Sequence, residues 1–250
     1  CTIMHAIDLC DTVTVEPATA VSVAADVPLP ERSAALRAAE AYRAAAKTDG
    51  ACITIRARIP SEAGLGSSSA DAAAVLSGMQ ALYGALSEAE LFAIAARTGA
   101  DVPFCLAGGA ALCEGIGERI TPLPGMALNL LLVKGARGVS TRALFEGLSL
   151  PLPLGDAGGA AAALRVGDVP ALTARAFNAL TAPAARLVPE IARYADRLRA
   201  EGALAACMTG SGSAVFGLFE SRADAERAKG AFPDAAFTHV CRTLPFSHKT

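Results

Sequence analysis

The chain has 250 residues, of which 53% are hydrophobic, and its formal net charge is −2 from 22 basic and 24 acidic residues. That length can bury a substantial core in one large domain or two small ones, and the balanced charge, without a run of Lys or Arg, argues against a nucleic-acid partner. The longest apolar stretches are far shorter than the ~20 residues that cross a bilayer, so we expect a soluble protein with no membrane partner.

The first half of the chain is predicted to alternate strands with helices. Alternation of apolar with polar residues predicts strands over residues 2–9, 11–16 and 52–59. Helices are predicted within residues 28–47, after the serines at 67–69, and from residue 87 to residue 99. The last of these begins with a capping-box pattern, Ser87 to Glu90, and ends at Gly99.

The stretch Ile59–Ala70, between a strand and a helix, carries the strongest functional signal. Gly64 and Gly66 permit positive φ and a close approach of the backbone to a ligand, and the serines Ser67–Ser69 follow where the helix should start. We expect one serine to cap the helix, while the remaining N–H groups and the positive end of the helix dipole form an anion site. The stretch lacks the Lys of a P-loop and the third glycine of a dinucleotide fingerprint, so it predicts a different phosphate cradle.

Asp101 lies in a predicted turn between Gly99 and Pro103. Such a position suits a turn aspartate that caps local N–H groups, and it equally suits a functional carboxylate. The residue pattern alone leaves both interpretations open.

A Pro/Gly cluster at residues 122–125 predicts a linker between the two halves of the chain. The second half is predicted to begin with a strand over residues 126–134. Ser140 or Thr141 is expected to cap a helix in which Thr141 and Phe145, one turn apart, share a face. A simple cap followed by a core aromatic is the alternative. Residues 150–159 are predicted as a surface connection. Further helices are predicted over 168–180, 189–200 and 224–231, and further strands over 203–208, 214–219 and 237–243.

Three stretches, taken in order, resemble the motifs of the GHMP kinases: Pro60–Ala70, then Thr98–Leu106 with Glu114–Glu118, then Met208–Phe216. The similarity extends from about Thr2 to about Phe219. It implies an α+β, two-domain GHMP kinase fold. An N-terminal αβ domain (residues 1–125) would carry the phosphate loop, and a C-terminal ferredoxin-like αβ plait would cover residues 126–250.

The resemblance also implies an activity, which is ATP-dependent phosphorylation of a small alcohol with Mg²⁺. Within the family, the motifs are most similar to those of kinases that phosphorylate the 2-hydroxyl of cytidyl-diphosphate methylerythritol, in the non-mevalonate route to isoprenoid precursors. In such kinases the residue equivalent to Asp101 lies beside the acceptor hydroxyl as base or orienting group. Thr141 and Phe145 would contact the cytidine end of the substrate, where the ring could stack on the base.

By the same resemblance, ATP is held by the first and third motifs, and one serine binds the metal. The Mg²⁺ ligand is assigned to Ser69. The residues assigned to ATP are Pro60, Ser61, Glu62, Ala63, Gly64, Leu65, Gly66, Ser67, Ser68, Ser69, Ala70, Gly210, Ser211 and Gly212.

One departure from the family concerns the start of the chain. Family members carry an earlier strand with a Lys and an Asn, and then a loop with a Tyr-His pair, whereas this sequence begins at Cys1. We therefore expect a truncated or late-started sequence. Without that Lys, Asp101 would be a lone carboxylate facing a polyphosphate, and turnover should suffer.

Other functions stay open from the sequence. A different small-molecule kinase of the same family would share these motifs, and a truncated chain could be a non-catalytic nucleotide-binding module. A serine hydrolase is suggested by Gly66–Ala70, which is close to a nucleophile elbow, with His239 late in the chain. That segment, however, ends in Ala rather than Gly, and a hydrolase leaves the other two motifs unexplained.

Seven cysteines are scattered without a C-x-x-C pair, and His5, His239 and His248 are the only histidines. This argues against a disulfide framework, a zinc site and a histidine metal cluster, and favours a reducing cytoplasm. The expected partner is a small-molecule substrate, with the protein a monomer or a homodimer.

Overall fold

The computed structural model describes residues 1–245. His248 and the last five residues of the predicted C-terminal domain therefore lie outside the described residues. Within residues 1–245 the chain forms ten strands, arranged in three sheets, and ten helices. Every helix in this range is too short or too polar to cross a lipid bilayer.

The strands are β1 (Thr2–His5), β2 (Thr12–Ala18), β3 (Ser22–Ala25), β4 (Gly50–Arg56), β5 (Ala110–Glu114), β6 (Arg119–Leu123), β7 (Asn129–Lys134), β8 (Ala205–Met208), β9 (Val215–Phe219) and β10 (Phe237–Arg242). The helices are α1 (Ala34–Ala46), α2 (Ser67–Tyr83), α3 (Glu88–Thr98), α4 (Val102–Ala107), α5 (Thr141–Glu146), α6 (Ala157–Val166), α7 (Val169–Thr173), α8 (Thr181–Leu187), α9 (Glu190–Ala200) and α10 (Arg222–Lys229).

The sheet that leads to the phosphate-binding stretch has the order β2-β4-β3, with β2 antiparallel and β3 parallel to β4. Because successive side chains of a strand point to opposite faces, Ile53 and Ile55 of β4 are buried while Thr54 is exposed. The buried face packs against α1 and α2, where Tyr42 and Leu76 are fully buried. Strand β4 and helix α2 therefore hold the intervening loop between two rigid elements.

A second sheet, β1-β5-β6, places the turn between β5 and β6 near Asp101. Gly117 in that turn has φ +120, and a Cβ there would lie 3.2 Å from the carbonyl oxygen of Ala100 and 3.4 Å from Oδ1 of Asp101. The turn thus packs closely on the residues that begin α4. The positive φ at Gly117, together with this close approach, favours glycine.

The third sheet has the order β10-β7-β9-β8, and every pair in it is antiparallel. Numbered within this half of the chain, the order is 4-1-3-2, which confirms the predicted ferredoxin-like plait. Leu131 and Val133 of β7 face the helices, where α9 supplies Ile191. The alternate residue Leu132 faces the opposite way and packs with Ile59, just before the phosphate-binding stretch. The sheet therefore touches the loop region directly.

Most predicted elements are confirmed, including α3 with both hydrogen bonds of its capping box. The helix predicted over residues 168–180 is wrong beyond α7, because the backbone opens there into a loop. The surface connection predicted over 150–159 is also partly wrong, since α6 starts at Ala157, where Asp156 accepts a hydrogen bond from the N–H of Gly159. The predicted linker at 122–125 starts too early, because Pro122 belongs to β6. The domain division at residues 125 and 126 stays a prediction.

Candidate active site

The loop Pro60–Gly66, called the phosphate loop below, leads directly into α2. The predicted serine cap is wrong: Gly66 occupies the N-cap position with φ 71, and no side chain caps the helix. The serines instead form the first helical turn. The N–H groups of Ser69 and Ala70 donate to the carbonyl of Gly66, whereas those of Ser67 and Ser68 have no recorded acceptor among residues 1–245. Two N–H groups at the positive end of a helix are thus available to an anion.

The phosphate loop is hydrogen-bonded to a turn from the other half of the chain, Thr209–Ala214, called the Gly-Ser-Gly turn below. Three consecutive carbonyls of the loop accept these hydrogen bonds, which we call the loop–turn contact. They run from Ser213 N to Glu62 O (3.0 Å), from Ala214 N to Ala63 O (3.1 Å) and from Thr209 Oγ1 to Gly64 O (3.0 Å).

The two glycines of the phosphate loop have different functions. At Gly64, φ is +70, and a Cβ would lie 2.1 Å from the carbonyl oxygen of Thr209 and 2.7 Å from the amide nitrogen of Gly212. Only glycine therefore allows the loop–turn contact to close. At Gly66, φ is +71, but a Cβ would meet no atom within 4 Å. Gly66 therefore faces open space next to the start of α2.

The Gly-Ser-Gly turn also contacts the residues predicted to bind the acceptor. The hydroxyls of Thr141 and Ser211 are hydrogen-bonded at 2.7 Å, and the hydroxyl of Ser213 donates to the carbonyl of Arg137 at 2.7 Å. Ser140, rather than Thr141, caps α5. The alternative of a core aromatic is wrong, because Phe145 is 56% exposed. A hydroxyl tied to the turn and a free aromatic ring therefore lie on neighbouring parts of one short helix.

Asp101 stands at the start of α4, and its side chain makes no capping hydrogen bond. The interpretation of Asp101 as a local cap is therefore wrong. Burial raises the pKa of its carboxyl above the ordinary value. Helix α4 packs against α2, and the thiol of Cys105, one turn into α4, has a pKa raised to about 12 by burial, by Asp101 and by Asp71 of α2. The carboxyl of Asp101 thus lies near the helix that starts at the phosphate loop.

A carboxyl pair that was not predicted from the sequence lies next to this loop, with Asp71 buried and Asp11 half-buried. Asp71 of α2 is 8% exposed, and its Oδ1 atom has no hydrogen-bond partner. Asp11 accepts hydrogen bonds from the N–H groups of Arg58 and Ile59, which immediately precede the loop. Burial, then the charge of Asp11 and a hydrogen bond with it, raise the pKa of Asp71 to about 7. The position of Asp71 on the apolar face of α2 is the sequence signal that could have predicted this buried carboxyl.

The carboxylate of Glu62 lies beside Gly138 in the C-terminal half of the chain, and the prediction that Glu62 binds ATP stays a prediction. Glu62 has φ 49 without being glycine, and its carboxylate lies so close to Gly138 that a Cβ there would be 2.2 Å from Oε2. Burial lowers the pKa of Lys134 at the end of β7, and the charge of Glu62 opposes that change. Ala63 is buried as well. At Glu62 and Ala63 the loop therefore contributes its backbone carbonyls to the loop–turn contact, while both side chains lie close to other residues of the protein.

The residues predicted for a hydrolase are not assembled. His239 lies on β10, where its ring stacks on Phe237 at a centroid distance of 6.1 Å. No hydrogen bond within residues 1–245 joins it to Ser67, Ser68 or Ser69. A nucleophile elbow without its histidine has no general base.

Comparison with known proteins identifies the family. The family model described as "GHMP kinases N terminal domain" matches residues 33–109, and that described as "GHMP kinases C terminal" matches residues 160–238. The 4-diphosphocytidyl-2-C-methyl-D-erythritol kinase of Caldicellulosiruptor saccharolyticus is 36% identical, over 99% of this chain and 90% of that protein. The enzyme of the same name from Carboxydothermus hydrogenoformans is 40% identical, over 88% of this chain and 79% of that protein.

Solved structures agree with this result. A crystal structure of 4-(cytidine 5'-diphospho)-2C-methyl-D-erythritol kinase superimposes with a TM-score of 0.82 at 35% identity, covering 96% of this chain and 88% of that one. The homoserine kinase of Cytophaga hutchinsonii has a TM-score of 0.83 at 21% identity, covering 97% of this chain and 89% of that one. At 21% identity, the similarity to the homoserine kinase shows only that the two proteins share a fold.

The loop–turn contact predicts a large difference between two glycine substitutions. Gly64→Ala should lower the free energy of unfolding by at least ~3 kcal/mol, because the methyl group would overlap Thr209 and the backbone would be strained. Gly84→Ala is the matched control: φ there is +60, but a Cβ would meet nothing within 4 Å, so only the ~1 kcal/mol of a left-handed alanine is expected. Urea unfolding measures both, and equal losses would contradict the close approach at Gly64.

The carboxyl pair predicts a pH-dependent stability. The pKa of Asp71 rises from 3.8 to about 7 on folding. Its contribution to the free energy of unfolding is therefore complete below pH 4 and is lost as the pH rises through 7. The free energy of unfolding of Asp71→Asn, taken relative to that of wild type, should rise by ~3–4 kcal/mol between pH 4 and pH 8. Urea unfolding across this range gives the difference.

The exposed Asp49, which precedes β4 at the end away from the phosphate loop, supplies the control substitution Asp49→Asn, which removes a carboxyl group outside the pair. A difference between Asp71→Asn and wild type that stays level with pH would show that Asp71 does not carry the pH dependence.

Proposed function

Because the chain belongs to the GHMP kinase family, we propose that it is an ATP-dependent kinase that phosphorylates the 2-hydroxyl of 4-diphosphocytidyl-2-C-methyl-D-erythritol, a step in non-mevalonate isoprenoid precursor biosynthesis. The relatives that carry this name are 36–42% identical to it. The structural observation that carries the proposal is the pair of available N–H groups at the start of α2. Asp101, whose carboxyl makes no capping bond, begins helix α4, which packs against α2.

The phosphate loop would hold the terminal phosphates of ATP. The dipole of a helix contributes only ~0.3–1 kcal/mol at an exposed site, so several donors must act together. The N–H groups of Ser67 and Ser68 and the hydroxyls of Ser67–Ser69 supply such a set within one helical turn. Phosphoryl transfer requires mainly positioning of the reactants and stabilisation of charge. The phosphate loop, which is fixed by the loop–turn contact, provides a rigid cradle for the phosphates.

Asp101 would orient the acceptor alcohol and accept its proton. A carboxylate becomes a better base as its pKa rises toward the working pH, and burial raises the pKa of Asp101. Its side chain makes no capping bond to the start of α4, so its oxygens are available to a hydroxyl group. This combination distinguishes it from the aspartates that cap α6 and α7.

Mg²⁺ would enter with ATP, and we keep Ser69 as its protein ligand. Within residues 1–245, no group of three or more His, Cys, Asp or Glu side chains could hold a cation. Mg²⁺ is commonly bound through one or two protein ligands together with substrate phosphates. The half-buried Ser69 hydroxyl in the first turn of α2 fits that limited requirement. When bound, the ion supplies neutralisation of phosphate charge.

The cytidine end of the acceptor would lie against α5. Phe145 offers an exposed aromatic face for stacking on a base. The hydroxyl of Thr141, one helical turn earlier in α5, is hydrogen-bonded to Ser211. We also propose a reducing cytoplasmic location, which seven free cysteines among the described residues support.

The acceptor assignment is tested with the full-length gene product. ADP release should require 4-diphosphocytidyl-2-C-methyl-D-erythritol, with kcat/KM at least ~100-fold above that for homoserine or mevalonate, because these lack the cytidine group that α5 would bind. A coupled assay measures ADP, and mass spectrometry identifies the phosphorylated product. Equal turnover of homoserine or mevalonate would make the acceptor assignment wrong.

Substitution of Asp101 separates binding from turnover. Asp101→Asn should lower kcat by ~10²–10⁴, the usual contribution of a general base, while KM for ATP stays within about twofold of wild type because the phosphate loop is untouched. Steady-state kinetics at saturating acceptor give both values, and Asp49→Asn again serves as the control. An unchanged kcat would show that Asp101 is not the general base and has only a structural role.

A further inference from the structure

Asn178, which has no role in the proposed chemistry, has every hydrogen-bonding group of its side-chain amide engaged. Its Nδ2 atom donates to the carbonyl of Met208 at 2.8 Å and to the carbonyl of Gly210 at 2.8 Å. Its Oδ1 atom accepts from the N–H of Leu180 at 2.9 Å. These partners fix the orientation of the amide, because a flipped amide would set its oxygen against two carbonyl oxygens.

The two carbonyls that Asn178 binds lie on either side of Thr209, the first residue of the Gly-Ser-Gly turn. Thr209 donates its N–H to the carbonyl of Ala214, which closes the turn, and its hydroxyl to the carbonyl of Gly64 in the phosphate loop. One side of Thr209 therefore faces the phosphate loop, and the backbone on both sides of it is held by a single amide.

We propose that Asn178 is a positioning residue of the nucleotide site: by binding the carbonyls of Met208 and Gly210, it sets the shape in which the Gly-Ser-Gly turn holds the phosphate loop. The inference rests on the proposed kinase function. Asn178 acts through the turn, and the turn acts through the loop–turn contact on the N–H groups of Ser67 and Ser68 that would bind phosphate.

The surroundings of Asn178 favour this role over general packing. It lies in the loop between α7 and α8, outside any helix or strand, and it is only half-buried. It therefore adds little apolar burial to the core. Its three recorded partners are uncharged backbone groups, and two of them belong to the strand end and turn next to the phosphate loop. An amide is the neutral side chain that provides two donors and one acceptor in this arrangement.

The test is the isosteric substitution Asn178→Asp, which keeps the acceptor for Leu180 but faces the two carbonyls with oxygen instead of two donors. We expect KM for ATP to rise by about tenfold, the effect of losing roughly one net hydrogen bond and adding a repulsion, at a temperature well below the unfolding midpoint. Protection against thermal unfolding by ATP alone should weaken in parallel.

Asn129→Asp is the matched control. Asn129 lies at the end of β7 remote from the turn, and its amide donates to the carbonyl of Glu220 at 3.2 Å. The same chemical change there removes a side-chain hydrogen bond to backbone from the same sheet. It should leave KM for ATP at the wild-type value even where it lowers the unfolding temperature.

The pH dependence gives a second readout that a loss of stability alone would not produce. A protonated carboxyl at position 178 can donate one hydrogen bond again, and the opposing carbonyl oxygens raise its pKa. The ratio of KM for ATP between Asn178→Asp and wild type should therefore fall severalfold between pH 8 and pH 5.5. The ratio for Asn129→Asp should stay near one.

If the Asp variant does not fold, Asn178→Ala is tested in its place, because it removes both donors without adding charge. It should raise KM for ATP by a factor of about three to ten. Wild-type KM and wild-type ATP protection in a folded variant would overturn the proposal. Absence of kinase activity in wild type would instead contradict the proposed function, and ATP protection, which needs no acceptor, would still test Asn178.

Discussion

The loop–turn contact is the interaction on which the candidate site depends. A loop rich in glycine has many accessible conformations, and its entropy opposes any single arrangement of its N–H groups. Here three consecutive carbonyls of the loop, from Glu62 to Gly64, are bound by a turn that joins the edge strand β8 to the central strand β9 of the C-terminal sheet. The sheet therefore supplies the rigidity that the loop lacks, and the helix start after Gly66 is presented in one orientation.

The same turn also connects the two regions for which we propose substrate binding. On one side it binds the phosphate loop, and on the other the hydroxyl of Ser211 bonds Thr141 while that of Ser213 bonds the carbonyl of Arg137. The segment that leads into α5 is thus tied to the segment that positions the loop. Thr141 belongs to α5 and Arg137 lies shortly before it. If the acceptor binds against α5 as proposed, we therefore expect its binding to be coupled to that of the nucleotide.

The sequence predicted the elements with strong local signals. The capping box of α3, the alternation in β4 and the turn between β8 and β9 follow from local rules, and the motifs predicted the family. The cap of α2 was wrong because Gly66, in a left-handed conformation, takes the place that serines usually occupy. The helix predicted over residues 168–180 wrongly included Asn178. Its side chain binds carbonyls about 30 residues later in the chain, and such long-range pairs leave no local pattern in the sequence.

Unfavourable local features gather around the phosphate loop. Glu62 holds a positive φ, Lys134 is buried beside it, and Asp71 is buried against Asp11 on the other side. Each lowers stability, because burying charge and straining backbone cost free energy. Features of this kind persist where function requires them and the rest of the fold compensates. The well-packed cores on either side of the loop supply that compensation, because burial of their apolar side chains stabilises the elements that flank this short segment.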